Sequence, residues 1–270
     1  MFANQFFKMN KYLFIIVSCL LISCGGYQKL LKSNDIDLKF TEAKRYYQEG
    51  EYFKCLPLLD ELHVILRGTD RAEEIDYLLA YTHYGLDAYN LASYHFTTFY
   101  KKYPSSKHSE ELDFMAAFCF YLQSPKSSLD GGNTLQAIEQ LQSFIDRNPD
   151  SDRVERCNEL IDDLTNKLMT KAFEIARLYY DIEDYQAAIT SFNNLVNDYP
   201  VKNPDVIQFL ILDSNFKLAS NSVLSKKEER YNNTIASYYY FVDKFSSSEK
   251  IKEAQNIYDK SIKQLENFKK

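Results

Sequence analysis

"AFEIARLYYDIEDYQAAITSFNNLVNDYP", residues 172–200, sets small residues and rings in step twice over. Ala176 precedes Tyr179 by three positions, Ala188 precedes Phe192 by four, and Leu195 follows three later. Intervals of three and four return to one face of an α-helix. Pro200 then stops the second run, because its ring cannot continue a helix. The stretch therefore predicts two helices, each with a small residue facing the other.

The same order recurs along the chain. Ala43 with Tyr46 and Ala80 with His83 repeat the first run, and each small residue stands twelve positions before the one in the helix that follows. The second run recurs from Tyr52, Tyr89, Thr134 and Tyr231, with Cys55, Ala92, Ala137 and Thr234 as its small residues. Leu59, Phe96, Leu141 and Tyr238 follow at four, and Leu62, Phe99, Phe144 and Phe241 three beyond. A small residue lets two helices approach to about 8–10 Å while the large one fills the space opposite. Such a pair cannot bury its apolar face alone, so neighbours stack. The pattern resembles the tetratricopeptide repeat, whose fullest copy here comprises Ala172, Ile175, Ala176, Tyr179, Ala188, Phe192, Leu195 and Pro200. The expected fold is all-α, an irregular tetratricopeptide-repeat superhelix of about five helix pairs over residues 39–270, with a C-terminal capping helix. "LQSPKSSLDGGNT" at 122–134 reads as an exposed insertion. Residues 157–181 read as a longer helix, and Val206–Ser220 as a helix rather than a strand.

Composition restricts the function classes. The 270 residues carry 32 basic and 38 acidic side chains without a strong basic block, which argues against a nucleic-acid backbone binder. Twenty-two tyrosines and 19 phenylalanines stand beside no tryptophan. Rings at helix-packing positions absorb many of these. Adjacent rings such as Tyr239 and Tyr240 remain, because one helix face cannot bury both.

The N-terminus is read apart from the fold. After Lys8 and Lys11 comes "YLFIIVSCLLIS", an apolar run too short to span a bilayer, ending at Cys24. Residues 1–23 read as a signal peptide, and Met9 opens a complete signal by itself. Leu21–Gly25 resembles the lipobox of bacterial lipoproteins, which implies a covalent lipid on Cys24 and no other cofactor. Cys19 is the poorer acceptor, since cleavage there leaves "LLIS" at the mature start. Residues 24–38 read as the lipidated N-terminus and a linker.

Catalysis finds no support. No GxSxG, HExxH, P-loop or dinucleotide glycine fingerprint occurs, and His63, His83, His95 and His108 are scattered. His83 sits where the repeat expects a ring. Glu110 and Glu111, being consecutive, point in different directions from a helix. Cys55, Cys119 and Cys157 lack ligand spacing and read as buried small hydrophobes, although an oxidising envelope permits a disulfide. No metal site is expected.

A lipobox, a short linker, about five irregular repeats and helix ends such as Tyr103-Pro104-Ser105-Ser106, Asn148-Pro149-Asp150-Ser151 and Tyr199-Pro200 together resemble the BamD family of outer-membrane protein assembly lipoproteins. The resemblance implies a lipid-anchored scaffold on the periplasmic face of the cell outer membrane. Its implied partners are the barrel-inserting subunit with periplasmic repeat domains and unfolded β-barrel clients. Two other readings fit the repeats: a lipoprotein organising peptidoglycan or envelope complexes, and a module binding peptides or glycans for uptake. Arg45, Tyr47, Tyr81 and Tyr84 are the candidate client-binding residues, and Tyr239 and Tyr240 the candidate partner surface. A Cys24→Ala variant should lose its acyl groups and fractionate as a soluble periplasmic protein; full retention in the membrane fraction would refute the lipobox reading.

Overall fold

The computed structural model describes residues 24–268, so the leader read over residues 1–23 lies outside the described residues. Among the described residues there are twelve α-helices and no strand. In order they are α1 (Cys24–Leu31), α2 (Ile36–Gln48), α3 (Tyr52–Ile65), α4 (Ala72–Gly85), α5 (Tyr89–Lys102) and α6 (Ser109–Leu122). Then follow α7 (Gly132–Arg147), α8 (Val154–Asp181), α9 (Tyr185–Asp198), α10 (Pro204–Ser220), α11 (Leu224–Lys244) and α12 (Ile251–Phe268). Five pairs, α2/α3 to α10/α11, thus lie between a short leading helix and a final one. The fold is all-α and built of tetratricopeptide-like helix pairs.

The described residues form two compact units, one within Met1–Gln123 with Glu139–Cys157 and the other within Ser124–Ile138 with Asn158–Lys270. In the first, each helix from α2 to α6 packs on the next, and α2 also touches α4. In the second, α9 to α12 pack in the same way, with α10 touching α12. Contact between first helices of successive pairs is what layers a repeat array.

The repeat positions form the cores. Ala43, Ala80, Ala92, Ala137, Ala176 and Ala188 are fully buried, as are Phe96, Phe144, Phe192 and Phe241 beside them. Tyr46 is buried as well, and Tyr179 is half-buried. Ile175, read as a packing position, is 42% exposed. It lies a quarter turn from Ala176, and Phe173 and Tyr180 on the other flank set their rings on Phe192 at 6.3 Å and Tyr185 at 5.9 Å. Residues 24–38, read as a linker, hold α1 and the start of α2. Buried Leu30 and the Tyr27 ring, 5.8 Å from Tyr46, give α1 a core to join.

Local chemistry starts and stops the helices. Asp35 caps α2 by accepting from Leu38 N at 2.9 Å, and Asp184 caps α9 through Ala187 N at 3.1 Å. The turns inside the first, second and fourth pairs each use a left-handed residue, Gly50, Asp87 and Glu183, two positions before Tyr52, Tyr89 and Tyr185. Glycine adopts that conformation freely, whereas the two acids bear a cost of about 1–2 kcal/mol. Gly85 answers a different need, since a Cβ there would run into the Tyr52 ring.

The serines after the second helices have a shared role. Ser106 Oγ donates to Glu73 at 2.6 Å, Ser151 Oγ to Glu110 at 2.6 Å, and Ser248 Oγ to Asp205 at 2.7 Å. Each bond ties the end of a second helix to the first turn of its own partner. Buried aspartates repeat the tie in two pairs. Asp76 accepts from Lys102 at 2.8 Å and Tyr103 at 2.9 Å, and Asp113 from Arg147 at 2.7 Å and Asn148 at 2.8 Å.

Close approach at the small residues leads to a direct expectation. Ala188→Leu should destabilise the chain by about 1–3 kcal/mol through overpacking against α8, whereas Leu178→Ala, on the exposed side of α8, should change stability by no more than about 0.5 kcal/mol. Urea unfolding followed by circular dichroism distinguishes the two.

Candidate functional site

In the first unit, tyrosines gather along one face of α4. Tyr77, Tyr81 and Tyr84 recur at intervals of four and three, so they share that face. Tyr77 and Tyr81 ring centroids lie 4.8 Å apart, and Tyr81 and Tyr84 6.4 Å. Phe96 of α5 backs both Tyr81 at 5.0 Å and Tyr84 at 6.3 Å. Each tyrosine is half-buried: one side packs on the core and the other meets water. Tyr47 of α2 joins the group, its ring edge-on to Tyr52 at 6.0 Å. Burial raises the Tyr47 phenol above its ordinary value, and the nearby Tyr77 and Tyr52 hydroxyls and Glu111 carboxylate add to that.

Glu111 of α6 closes the face. The Tyr81 hydroxyl donates to its carboxylate, and His108 Nδ1 lies 3.2 Å from its other oxygen. Burial first, and then this bond, hold the Tyr81 phenol well above its usual range. Burial also raises Tyr77, again with the Glu111 charge, and Tyr84. The neighbouring Glu110 turns away to Ser151 and Arg153, so the adjacent carboxylates do not share a cleft. The result is a fixed row of rings with one acceptor, suited to stacking and hydrogen bonding with an extended chain rather than to bond cleavage.

The structure therefore brings Tyr47, Tyr81 and Tyr84 together and adds Tyr77 and Glu111. The spacing from Tyr77 to Tyr81 was a signal in the sequence, but nothing local pointed to Glu111, which arrives from the next pair. Arg45 stands elsewhere. It is two residues from Tyr47, about 200° around the helix, and its guanidinium is held by Glu42 and Glu49 at 2.7 Å each. It covers the Tyr46 ring at 4.3 Å and lines a cleft of about 580 Å³ with Tyr27, Lys29 and Lys54.

In the second unit, Tyr239 and Tyr240 are 57% and 51% exposed, while Tyr238 and Phe241 beside them are buried. The four consecutive rings thus divide between core and surface as helix geometry requires. Tyr238 stacks on Tyr258 of α12 at 4.5 Å, and the Tyr239 and Tyr258 hydroxyls meet at 3.1 Å. Also in this unit, the Tyr180 hydroxyl donates to Asp213, and Lys217 approaches Asp213 at 2.9 Å with its ammonium 4.3 Å from the Tyr180 ring.

Cys55, Cys119 and Cys157 are buried and unpaired, and burial pushes the Cys119 thiol up to about 12 and Cys157 up to about 11. Among the described residues, no group of three or more His, Cys, Asp and Glu is arranged to hold a metal ion. His83 and His95 stack face to face at 4.8 Å and 7°. Burial lowers His83 below its usual value, countered by Asp60. Burial, with His83 and His63 close by, lowers His95 to about 4, against a small upward pull from Asp76.

Residues 33–210 match a family model, YfiO, described as an outer membrane lipoprotein. No curated protein matches the chain. No described helix is long and apolar enough to cross a membrane.

The imidazole stack makes stability depend on pH. Its folded-state affinities for protons lie below the unfolded value of 6.5, so the unfolded chain binds protons that the folded chain refuses. The contribution of the stack is fully present above about pH 6.5 and is lost as the pH drops toward about 4. The urea midpoint should decline across that window, and His95→Phe, which keeps a ring without a titrating group, should flatten the decline.

Proposed function

The chain belongs to the YfiO family of outer membrane lipoproteins, and from that premise we propose that it is a non-catalytic scaffold assisting the folding and insertion of β-barrel proteins in the outer membrane. It is held at the periplasmic face by acyl chains on Cys24. Two or more chains on one cysteine give stable attachment, each buried methylene adding about 0.8 kcal/mol.

The tyrosine face of the first unit supports the client role best. Tyr47, Tyr77, Tyr81 and Tyr84 present rings already fixed by packing, so a client loses entropy on binding but the scaffold loses little. Extended β-barrel segments alternate apolar with polar side chains and carry aromatic rings near the strand ends, and those apolar and aromatic side chains match a row of rings. The exposed pair Tyr239 and Tyr240 of the second unit supports docking of the barrel-inserting subunit. Large rings half out of water are the residue type that anchors protein interfaces. The lipid anchor adds an effective-concentration gain by keeping client, scaffold and inserting subunit at one surface.

Binding of an unfolded barrel protein to the full chain tests this reading. A Tyr47→Ala, Tyr81→Ala variant should bind about tenfold or more weakly, corresponding to about 1.4 kcal/mol or more. Tyr81→Phe, which keeps the ring, should bind nearly as well as the parent chain. Tyr239→Ala with Tyr240→Ala should retain the client and lose the barrel-inserting subunit in affinity capture. Unchanged client affinity in a helical, folded double variant would sink the assignment of that face.

A further inference from the structure

Two contacts set the direction of α1. Near its start, the Tyr27 hydroxyl donates to Lys54 O at 2.9 Å, in the first turn of α3. At its end, buried Lys39 donates to Leu31 O at 3.0 Å and to Glu61, further along α3. α1 thus runs beside α3 in the same sense. Cys24 precedes Tyr27 by three residues, about 4.5 Å along the axis, which brings the start of α1 level with the start of α3.

That edge of the first unit carries apolar side chains that no core claims. Phe53, in the first turn of α3, is 85% exposed, and Leu91, in the first turn of α5, is 52% exposed. Both helices are second members of successive pairs, so their starts lie along one edge. An open cleft of about 290 Å³ between the α2–α3 turn and the end of α4 is lined by Phe53 and Leu86 among others. The acids there are already partnered. Glu49 pairs with Arg45, Glu51 with Lys54, and Asp87 accepts from the Tyr89 hydroxyl at 2.7 Å.

We propose that this edge rests on the lipid bilayer, with Phe53 and Leu91 entering the boundary between headgroups and acyl chains. The inference rests on the reading of Cys24 as the lipid anchor. An acyl tether alone fixes distance from the membrane and leaves orientation free, whereas two apolar side chains beside it fix the orientation too.

The chain has no tryptophan, so a single indole reports its own surroundings. The mature chain Cys24–Lys270 would be coupled through Cys24 to a maleimide-headgroup lipid in phosphatidylethanolamine and phosphatidylglycerol vesicles. The three other cysteines are buried, which directs coupling to that position. In Phe53→Trp the emission should shift to the blue and be quenched by brominated acyl chains, as expected for a ring about 5–10 Å below the surface. In Val64→Trp, at the far end of α3 and 72% exposed in the parent, neither change should occur. Equal quenching at both positions, or none at Phe53→Trp, would overturn the proposal. So would a blue shift without vesicles accompanied by a doubled mass in sedimentation, which would assign the edge to a second copy. Failure of the anchor reading shows separately, as an unacylated Cys24 in the mass spectrum of the protein isolated from cells.

Discussion

The close approach of two helices at an alanine is the contact on which the rest of the structure depends. Ala43, Ala80, Ala92, Ala137, Ala176 and Ala188 have no side-chain exposure at all, and each sits where a larger residue would hold the helices apart. The space they leave is filled by Phe96, Phe144, Phe192 and their equivalents. Interiors pack at the density of organic crystals, so a filled hole of this kind admits one arrangement. The pair becomes a rigid unit with one apolar face still open, and within each unit the next helix covers it.

Polar ties then set where along each other the paired helices stop. A serine after the second helix reaches the first-turn carboxylate of the first, at Ser106, Ser151 and Ser248. Buried Asp76 and Asp113 each gather a cation and a second donor from the end of the partner helix. A buried carboxylate without such donors is costly, so each tie penalises every misaligned pairing. Hydrophobic burial supplies the attraction, and these bonds supply the register.

The proposed function rests on the surplus of rings over core positions. A repeat needs one or two large residues per helix, and α4 carries Tyr77, Tyr81 and Tyr84 in addition to its buried residues Ile75, Leu79 and Ala80. The extra rings stay half in water, held by Phe96 below and by Glu111 from α6. In α11 the excess falls at Tyr239 and Tyr240. These preformed surfaces carry the scaffold role proposed for the chain, which belongs to a family of outer membrane lipoproteins.

By itself the sequence determined the class of fold, because helix periodicity is a local property written in residues three and four apart. Ala176, Ala188, Phe192 and Leu195 announced a helix pair, and the run from Cys24 back to Lys8 reads as an acylation signal, without reference to any distant residue. Tertiary structure decided what depends on residues far apart in the chain. Glu111 reaches Tyr81 across 30 positions, and Arg45 turns from Tyr47 toward Glu42, Glu49 and the cleft beside α1. Ile175 lies outside the core because Phe173 and Tyr180 occupy the space facing α9. Spacing along one helix tells which residues share a face, but only the neighbouring helix determines whether that face is covered.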